Sequence, residues 1–405
     1  MLDIFRITKN CLKGILFALS LLVYFNTYAQ KSHRKVPGSV VAYSPASSGK
    51  YIGSPGICIL PDGNYIATHD LFGPNSNEFV KAITHVYRSK DKGRTWERIA
   101  VINGQFWSKP FLYQNQLYLI GTDKHHGNVI IRRSVDGGKS WTNSQDSKSG
   151  LLMEGEFHCA PTPIISHGGY LWRAMERADG PIKKWGKRYG TFMMSVKEGS
   201  DLLDASNWRH TNTLVYDSTY LDGNFGAWIE GNAVVSPDNN ILNILRVHHP
   251  KDKLSEKAVL VQITADGSQS QFDPNTGFID FPGGGKKFTI KYDSISKRYI
   301  SIANYVPEKY RGGTVQLDKI RNTQALVSSE DLINWKVHKI LLQHEDPVKH
   351  GFNYVDWEFE GDRLIFLSRT AYYDGEESAK NYHDANFLTF HTVRNFRKYL
   401  TKTIH

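Results

Sequence analysis

Histidines, carboxylates and arginines in this 405-residue chain stand where short apolar runs end, the places from which strands present chemistry to loops. Ile66-Ala67-Thr68-His69-Asp70 is one such run, followed by Gly73-Pro74. A His–Asp pair there is a base with its orienter, a clamp for sugar hydroxyls, or a polar strand end capping a turn. In Gly121-Thr122-Asp123-Lys124-His125-His126-Gly127 the adjacent histidines point to opposite faces of an extended backbone. They do not share one metal, and His126 is the favoured residue to face a site. His158 precedes Cys159-Ala160-Pro161-Thr162-Pro163, where two prolines limit pairing and mark a strand entrance at a channel. Arg173 and Glu176 in Leu171-Trp172-Arg173-Ala174-Met175-Glu176 form either an ion pair or a carboxylate-binding pair. Glu230 and Asn232 open a further run in Trp228-Ile229-Glu230-Gly231-Asn232, and Arg246 closes it within Ile244-Leu245-Arg246-Val247. A lone arginine inside an apolar strand is costly unless it pairs, with Glu230 or with a ligand's carboxylate. Arg369 in Ser368-Arg369-Thr370 and the group His383-Asp384-Ala385-Asn386 add polar density near the C-terminus.

The elements that position these residues are short strands. Apolar runs recur at 57–60, 65–68, 116–120, 233–235, 242–247, 258–263, 298–303, 323–327 and 363–367, separated by turns such as Pro61-Asp62-Gly63-Asn64. Amphipathic helices are lacking. Ser89-Lys90-Asp91-Lys92-Gly93-Arg94-Thr95-Trp96 and Ser134-Val135-Asp136-Gly137-Gly138-Lys139-Ser140-Trp141 both read S-x-D-x-G-x-x-W, each after a β-rich run. The carboxylate accepts hydrogen bonds from the turn's backbone, glycine supplies an unusual backbone angle, and tryptophan anchors the turn. Weaker echoes end at Trp208 and Trp335. The pattern predicts an all-β fold, a single β-propeller of seven blades, closed where residues 40–43 pair beside 387–390.

Arg6, Lys9 and Lys13 precede the apolar run Gly14–Phe25, and Thr27-Tyr28-Ala29 offers a cleavage point. Residues 1–29 therefore read as a signal peptide and 30–405 as the exported propeller domain, periplasmic or extracellular, with no membrane span. Cleavage removes three basic and one acidic residue, lowering the charge from +10 to about +8. That balance suits an acidic polymer. Export, and the lack of a basic helix or aromatic RNA-binding motif, argue against nucleic acid. Cys58 and Cys159 remain, as a disulfide or as two buried thiols, and no zinc-type cysteine spacing exists.

The S-x-D-x-G-x-x-W pair resembles the Asp-box (BNR) repeat of the sialidase-like propellers. Residues 51–70, 157–176, 228–246 and 368–391 are similar to the branch that contains the ulvan lyases and the arabinogalactan-active exo-α-L-rhamnosidases. The resemblance implies a secreted, monomeric carbohydrate-active enzyme cleaving an α-L-rhamnose–glucuronic acid linkage of an acidic polysaccharide, by hydrolysis. The alternatives are β-elimination by a polysaccharide lyase, an exo-sialidase, and a glycan-binding propeller without turnover. By resemblance His126, His158 and Arg246 match the lyase pattern, with Glu230 where a tyrosine is expected, and His69 matches the histidine of the rhamnosidases. Sialidases carry an arginine at the start of the first blade, where this chain has Tyr51-Ile52-Gly53-Ser54-Pro55; Arg173, Arg246 and Arg369 are the candidates to rebuild a triad. A hydrolase would draw on Glu230, Asp70 and Glu176 as carboxylates. A lyase would use Arg246 to hold the uronate and a histidine as base. Neither route calls for a metal or cofactor.

Overall fold

The computed structural model describes residues 35–404; the expected signal peptide, 1–29, lies outside the described residues. Near-continuous apolar runs such as Gln116–Thr122 form antiparallel ladders whose two faces are both buried. Among the described residues five sheets result, and the eight-stranded one divides into two meanders. Leu151–His158 makes that join, leaving the outer edge of one meander and pairing through Phe157 and His158 with Tyr170–Arg177 of the next.

Six blades follow. Their innermost strands begin at Tyr51 (blade 1), Phe106 (blade 2), Phe157 (blade 3), Ala227 (blade 4), Ile290 (blade 5) and Gly351 (blade 6). Six apolar clusters fill the six junctions. Ile66 and Leu119 meet between blades 1 and 2, Phe157 and Ile131 between 2 and 3, and Trp172 and Trp228 between 3 and 4. Val234 meets Tyr299 between 4 and 5, Ile302 meets Trp357 between 5 and 6, and Leu388 meets Tyr65 between 6 and 1. Ser39–Tyr43 closes the ring on Phe387–Val393, with Val40 opposite Thr389 and Tyr43 opposite Phe387, where the sequence placed the closure.

The expected blade count of seven is not what the strand pairing gives. Dividing the length by a fixed repeat overlooks the long inter-strand segments 178–189, 211–226, 304–322 and 372–386, which use up a blade's worth of chain. The turn motif does form as its chemistry requires. Asp136 accepts from the Ser140 backbone at 3.0 Å and hydroxyl at 2.6 Å, and the Trp141 indole donates to Gly138 at 3.0 Å. Asp91 and Asp331 repeat the arrangement, and Trp335 repeats the indole bond. Among the described residues no helix is long and apolar enough to cross a membrane.

Candidate active site

Three inner strands share one irregularity. Phe106–Tyr113, Ala227–Val235 and Gly351–Glu360 each slip register against the next strand, between Phe106 and Lys109, Ile229 and Asn232, and Asn353 and Asp356. In each bulge a non-glycine residue takes left-handed backbone: Trp107 (φ 47°), Glu230 (φ 63°) and Tyr354 (φ 54°). Bulges re-aim side chains, and this backbone costs about 1–2 kcal/mol per residue. All three residues line one cavity of about 350 Å³ at the propeller axis, on the face where the second strands end.

Each bulge is held by a polar group from the end of the preceding blade's second strand. Asp70 accepts the Trp107 backbone N–H at 2.8 Å and, on its other oxygen, the Thr84 hydroxyl. Glu176 Oε1 accepts the Gly231 N–H at 3.1 Å. Asn304, just past Arg298–Ala303, donates to the Phe352 carbonyl at 2.6 Å. The device recurs every second blade, so blades 2, 4 and 6 offer the re-aimed side chains and blades 1, 3 and 5 fix them.

Glu176 also orients a histidine. Its Oε2 lies 2.8 Å from His158 Nδ1, and both side chains are buried. A carboxylate only accepts, so Nδ1 carries the hydrogen and Nε2, with no partner among the described residues, is left for proton transfer. The ring is fixed against Trp107 and Tyr189, at centroid distances of 4.5 and 4.8 Å.

Three arginines from blades 4, 5 and 6 line the same cavity. Arg246 Nη1 donates to both Glu230 oxygens, at 3.2 and 3.1 Å, and its Nε donates to the Gly285 carbonyl at 2.8 Å. Burial alone would raise the Glu230 carboxyl, but the surrounding positive groups, Arg246 first, together outweigh it and hold that group below its ordinary value, hence ionised. Arg321 donates to the Asp318 carbonyl and to Asn353, at 2.9 and 3.3 Å. Arg369 donates to the His383 carbonyl through Nε and Nη2 and is sandwiched by Phe72 and Tyr354, whose ring centroids lie 4.2 and 4.6 Å from it. Burial pushes the Arg369 guanidinium down to about 10. Arg321 and Arg369 are buried and, among the described residues, have no carboxylate partner. Two other carboxylates of the cavity, Glu78 and Asp318, are opposite His125 and His248, at 3.3 Å each. Arg246 Nη2, Arg321 Nη2 and Arg369 Nη1 have no hydrogen-bond partner among the described residues. The cavity therefore offers unsatisfied guanidinium donors beside an oriented histidine and an ionised carboxylate.

Of the residues the sequence singled out, His158, Glu230, Arg246, Arg369 and His383 line the cavity, and Glu176 and Asp70 stand directly behind it. His69 does not come to it. Strand alternation puts its side chain on the face of Tyr65 and Ala67, toward blade 6, with Nε2 3.4 Å from the Tyr87 hydroxyl, and burial pushes it down to about 3. Arg173 is likewise buried away from the cavity and donates to the carbonyls of Thr162 and Ala160, at 2.8 and 2.6 Å, fixing the proline-bounded segment. Asn232 ties blade 4 to blade 5, donating to the Phe288 carbonyl at 3.2 Å and accepting the Ile290 N–H at 3.0 Å. In the histidine pair it is His125 that lines the cavity. His126 (φ 55°) turns to the Tyr189 hydroxyl at 3.0 Å, and burial followed by His125 pushes it down to about 2. Cys58 and Cys159 are buried free thiols. Among the described residues no group of three His, Cys, Asp or Glu side chains is placed to hold a metal ion.

Trp107, Tyr354 and Arg321 escaped the sequence reading. Nothing in Phe106-Trp107-Ser108 or Asn353-Tyr354-Val355 signals left-handed backbone, because neither bulge uses glycine. Arg321 lies in a segment without periodicity, and only its place just before the run 323–327 marks it.

No family model matches the chain, and no curated protein sequence matches it. Its structure is similar to that of the Penicillium chrysogenum alpha-L-arabinanase complexed with arabinobiose (TM-score 0.54, 15% identity, covering 91% of this chain and 99% of that one). It is also similar to the Fusarium graminearum alpha-L-arabinofuranosidase in complex with arabinobiose (TM-score 0.56, 11% identity, 90% and 99% covered). A leech intramolecular trans-sialidase has a TM-score of 0.56 at 12% identity, with 91% of this chain and 72% of that one covered. The likeness is one of fold: this chain is a β-propeller of the architecture on which those enzymes are built.

Proposed function

We propose that this protein is a glycoside hydrolase acting at the end of an acidic glycan, and that the linkage it cleaves joins α-L-rhamnose to glucuronic acid. One observation carries the reading. Arg321 and Arg369 are buried without carboxylate partners beside Arg246, around one cavity. Buried guanidinium groups call for an anion, and a planar uronate carboxylate meets their paired donors. The cavity, at about 350 Å³, is at the small end of ligand pockets and suits a chain end. The named glycosidases among proteins of the same fold support carbohydrate as the substrate class.

In this reading His158 starts as the imidazolium, its Nδ1–H held by Glu176, and delivers the Nε2 proton to the glycosidic oxygen as the bond to the anomeric carbon breaks. Glu230, held ionised by Arg246, offsets the positive charge developing at that carbon. Water then supplies the hydroxyl and returns its proton to His158. Residues 1–29 are removed on export, and 30–405 act outside the cytoplasm as a monomer.

A second reading is an exo-sialidase, favoured by Arg321. It fills the place in a three-arginine set for which the sequence offered Arg173, and it would grip a sugar that itself carries the carboxylate. The test is incubation of the mature protein with gum arabic, ulvan and 3′-sialyllactose. Free rhamnose without new ultraviolet absorbance supports the proposal. Rising absorbance from unsaturated uronide replaces hydrolysis by elimination. Free sialic acid selects the second reading, and no product from any of them leaves a glycan-binding propeller.

A further inference from the structure

On the face opposite the cavity, the turn Lys92-Gly93-Arg94 of blade 1 meets the outer strand of blade 5, the start of the second strand of blade 6 and the segment 394–399. Between them runs a groove of about 800 Å³. Six of its eighteen lining residues are Lys92, Arg94, Lys339, Arg363, Arg394 and Lys398, and none is Asp or Glu. Glu360 reaches Lys92 at 2.9 Å and Arg363 at 3.8 Å. Arg94, Lys339, Arg394 and Lys398 have no carboxylate within ion-pair distance among the described residues. These four come from three separate stretches of sequence, so their convergence is a product of the fold.

The field they create is felt by a neighbour. Lys339 and Lys398 sit 3.8 and 5.1 Å from the Tyr399 ring centroid, and Lys339 first, then Lys398, draws the Tyr399 phenol below its ordinary value. Unpaired cations lining a concavity repel one another, and a polyanion lying along it relieves that repulsion.

We propose that this groove is a second, non-catalytic binding site for an acidic polysaccharide, which holds the polymer while the cavity on the other face works on a chain end. Its shape and lining favour that class. A concave trough fits a strand better than a membrane surface, and no exposed large apolar side chain lines it to enter lipid. The Tyr399 ring is already covered by lysines, so no free aromatic platform is offered to nucleic acid bases. The groove shares no residue with the cavity, and its occupancy does not depend on what the cavity cleaves.

The test is affinity electrophoresis of the mature protein in gels containing polygalacturonate, with neutral dextran as control. The triple variant Arg94→Glu, Lys339→Glu, Arg394→Glu is compared with a control variant carrying Lys183→Glu and Lys184→Glu from a loop on the other face. The expected result is retardation of the wild type by polygalacturonate, relieved by salt, and a loss of about tenfold in affinity for the triple variant alone. Its unfolding midpoint and any turnover of a small substrate should stay unchanged. Equal retardation of wild type and triple variant overturns the proposal. So does tighter binding to phosphatidylserine vesicles or single-stranded DNA than to polygalacturonate, since either would make another polyanion the groove's partner.

Discussion

Glu176 uses its two oxygens for different tasks, one fixing the blade 4 bulge through Gly231 and the other setting the tautomer of His158. Glu176→Gln should separate them. Its amide oxygen can still accept from Gly231, but an NH2 facing Nδ1 requires that nitrogen to accept, so the ring cannot carry hydrogens on both nitrogens and has no acidic Nε2 proton to give. We expect kcat to fall by about 10²–10⁴-fold with KM and the unfolding midpoint little changed, and His158→Ala to lose as much. An active Glu176→Gln enzyme would remove His158 from the chemistry. Asp70 holds the blade 2 bulge, and burial, opposed by bonds from Thr84 and Trp107, pushes its carboxyl up to about 7. The folded protein then binds a proton more tightly than the unfolded chain between about pH 4 and 7. Stability contributed by Asp70 is therefore full below pH 4 and declines as pH rises through that window. The midpoint difference between wild type and Asp70→Ala should shrink from pH 4 to pH 7, and a difference that grows instead contradicts the assignment. At this scale the sequence was informative where polarity interrupts an apolar run, as at Arg246, Glu230 and His158. It was silent on side-chain direction, so His69 and Arg173, polar in equally apolar runs, carried the same signal while serving junctions between strands.

Among the elements, the bulged inner strands do what uniform strands cannot. A regular ladder would bury Trp107, Glu230 and Tyr354 against a neighbouring blade or point them past the axis. The left-handed residue turns each toward the cavity, and the polar clamp from the preceding blade maintains it. Tyr354 permits a clean measurement of the strain. Tyr354→Ala and Tyr354→Gly remove the same ring, but only glycine tolerates φ 54° without penalty. The glycine variant should be the more stable by about 1 kcal/mol in denaturant titration, and both should lose activity because Arg369 loses one of its two aromatic faces. Alanine equal to or more stable than glycine would mean that the backbone there is not strained. This is also where the sequence ran out. The turn motifs were legible because serine, aspartate, glycine and tryptophan each do a local job at fixed spacing. The bulges depend on partners such as Asp70 and Asn304, which lie far from them in sequence, so no local pattern announces them.

For the molecule as a whole, the cavity exists only while the ring is closed, because every blade contributes to its wall. Closure rests on one short strand. Ser39–Tyr43 supplies the outer edge of blade 6, and its Val41 and Ala42 join the apolar cluster that seals blade 6 against blade 1. Blade 6 also carries Tyr354 and Arg369, so the seam that closes the ring lies next to the groups that line the cavity. Deleting residues up to Tyr43 exposes the edge of Phe387–Val393 and removes buried apolar area worth about 2–3 kcal/mol, before the lost backbone pairing is counted. The full-length mature protein should unfold in one transition, and the shortened one at a clearly lower midpoint with activity lost in parallel. If the N-terminal deletion leaves midpoint and turnover intact, the ring is held by its six apolar junctions alone and the closing strand is dispensable. If midpoint and activity fall together, the geometry of the arginines is a property of the closed ring and not of blades 4, 5 and 6 taken separately.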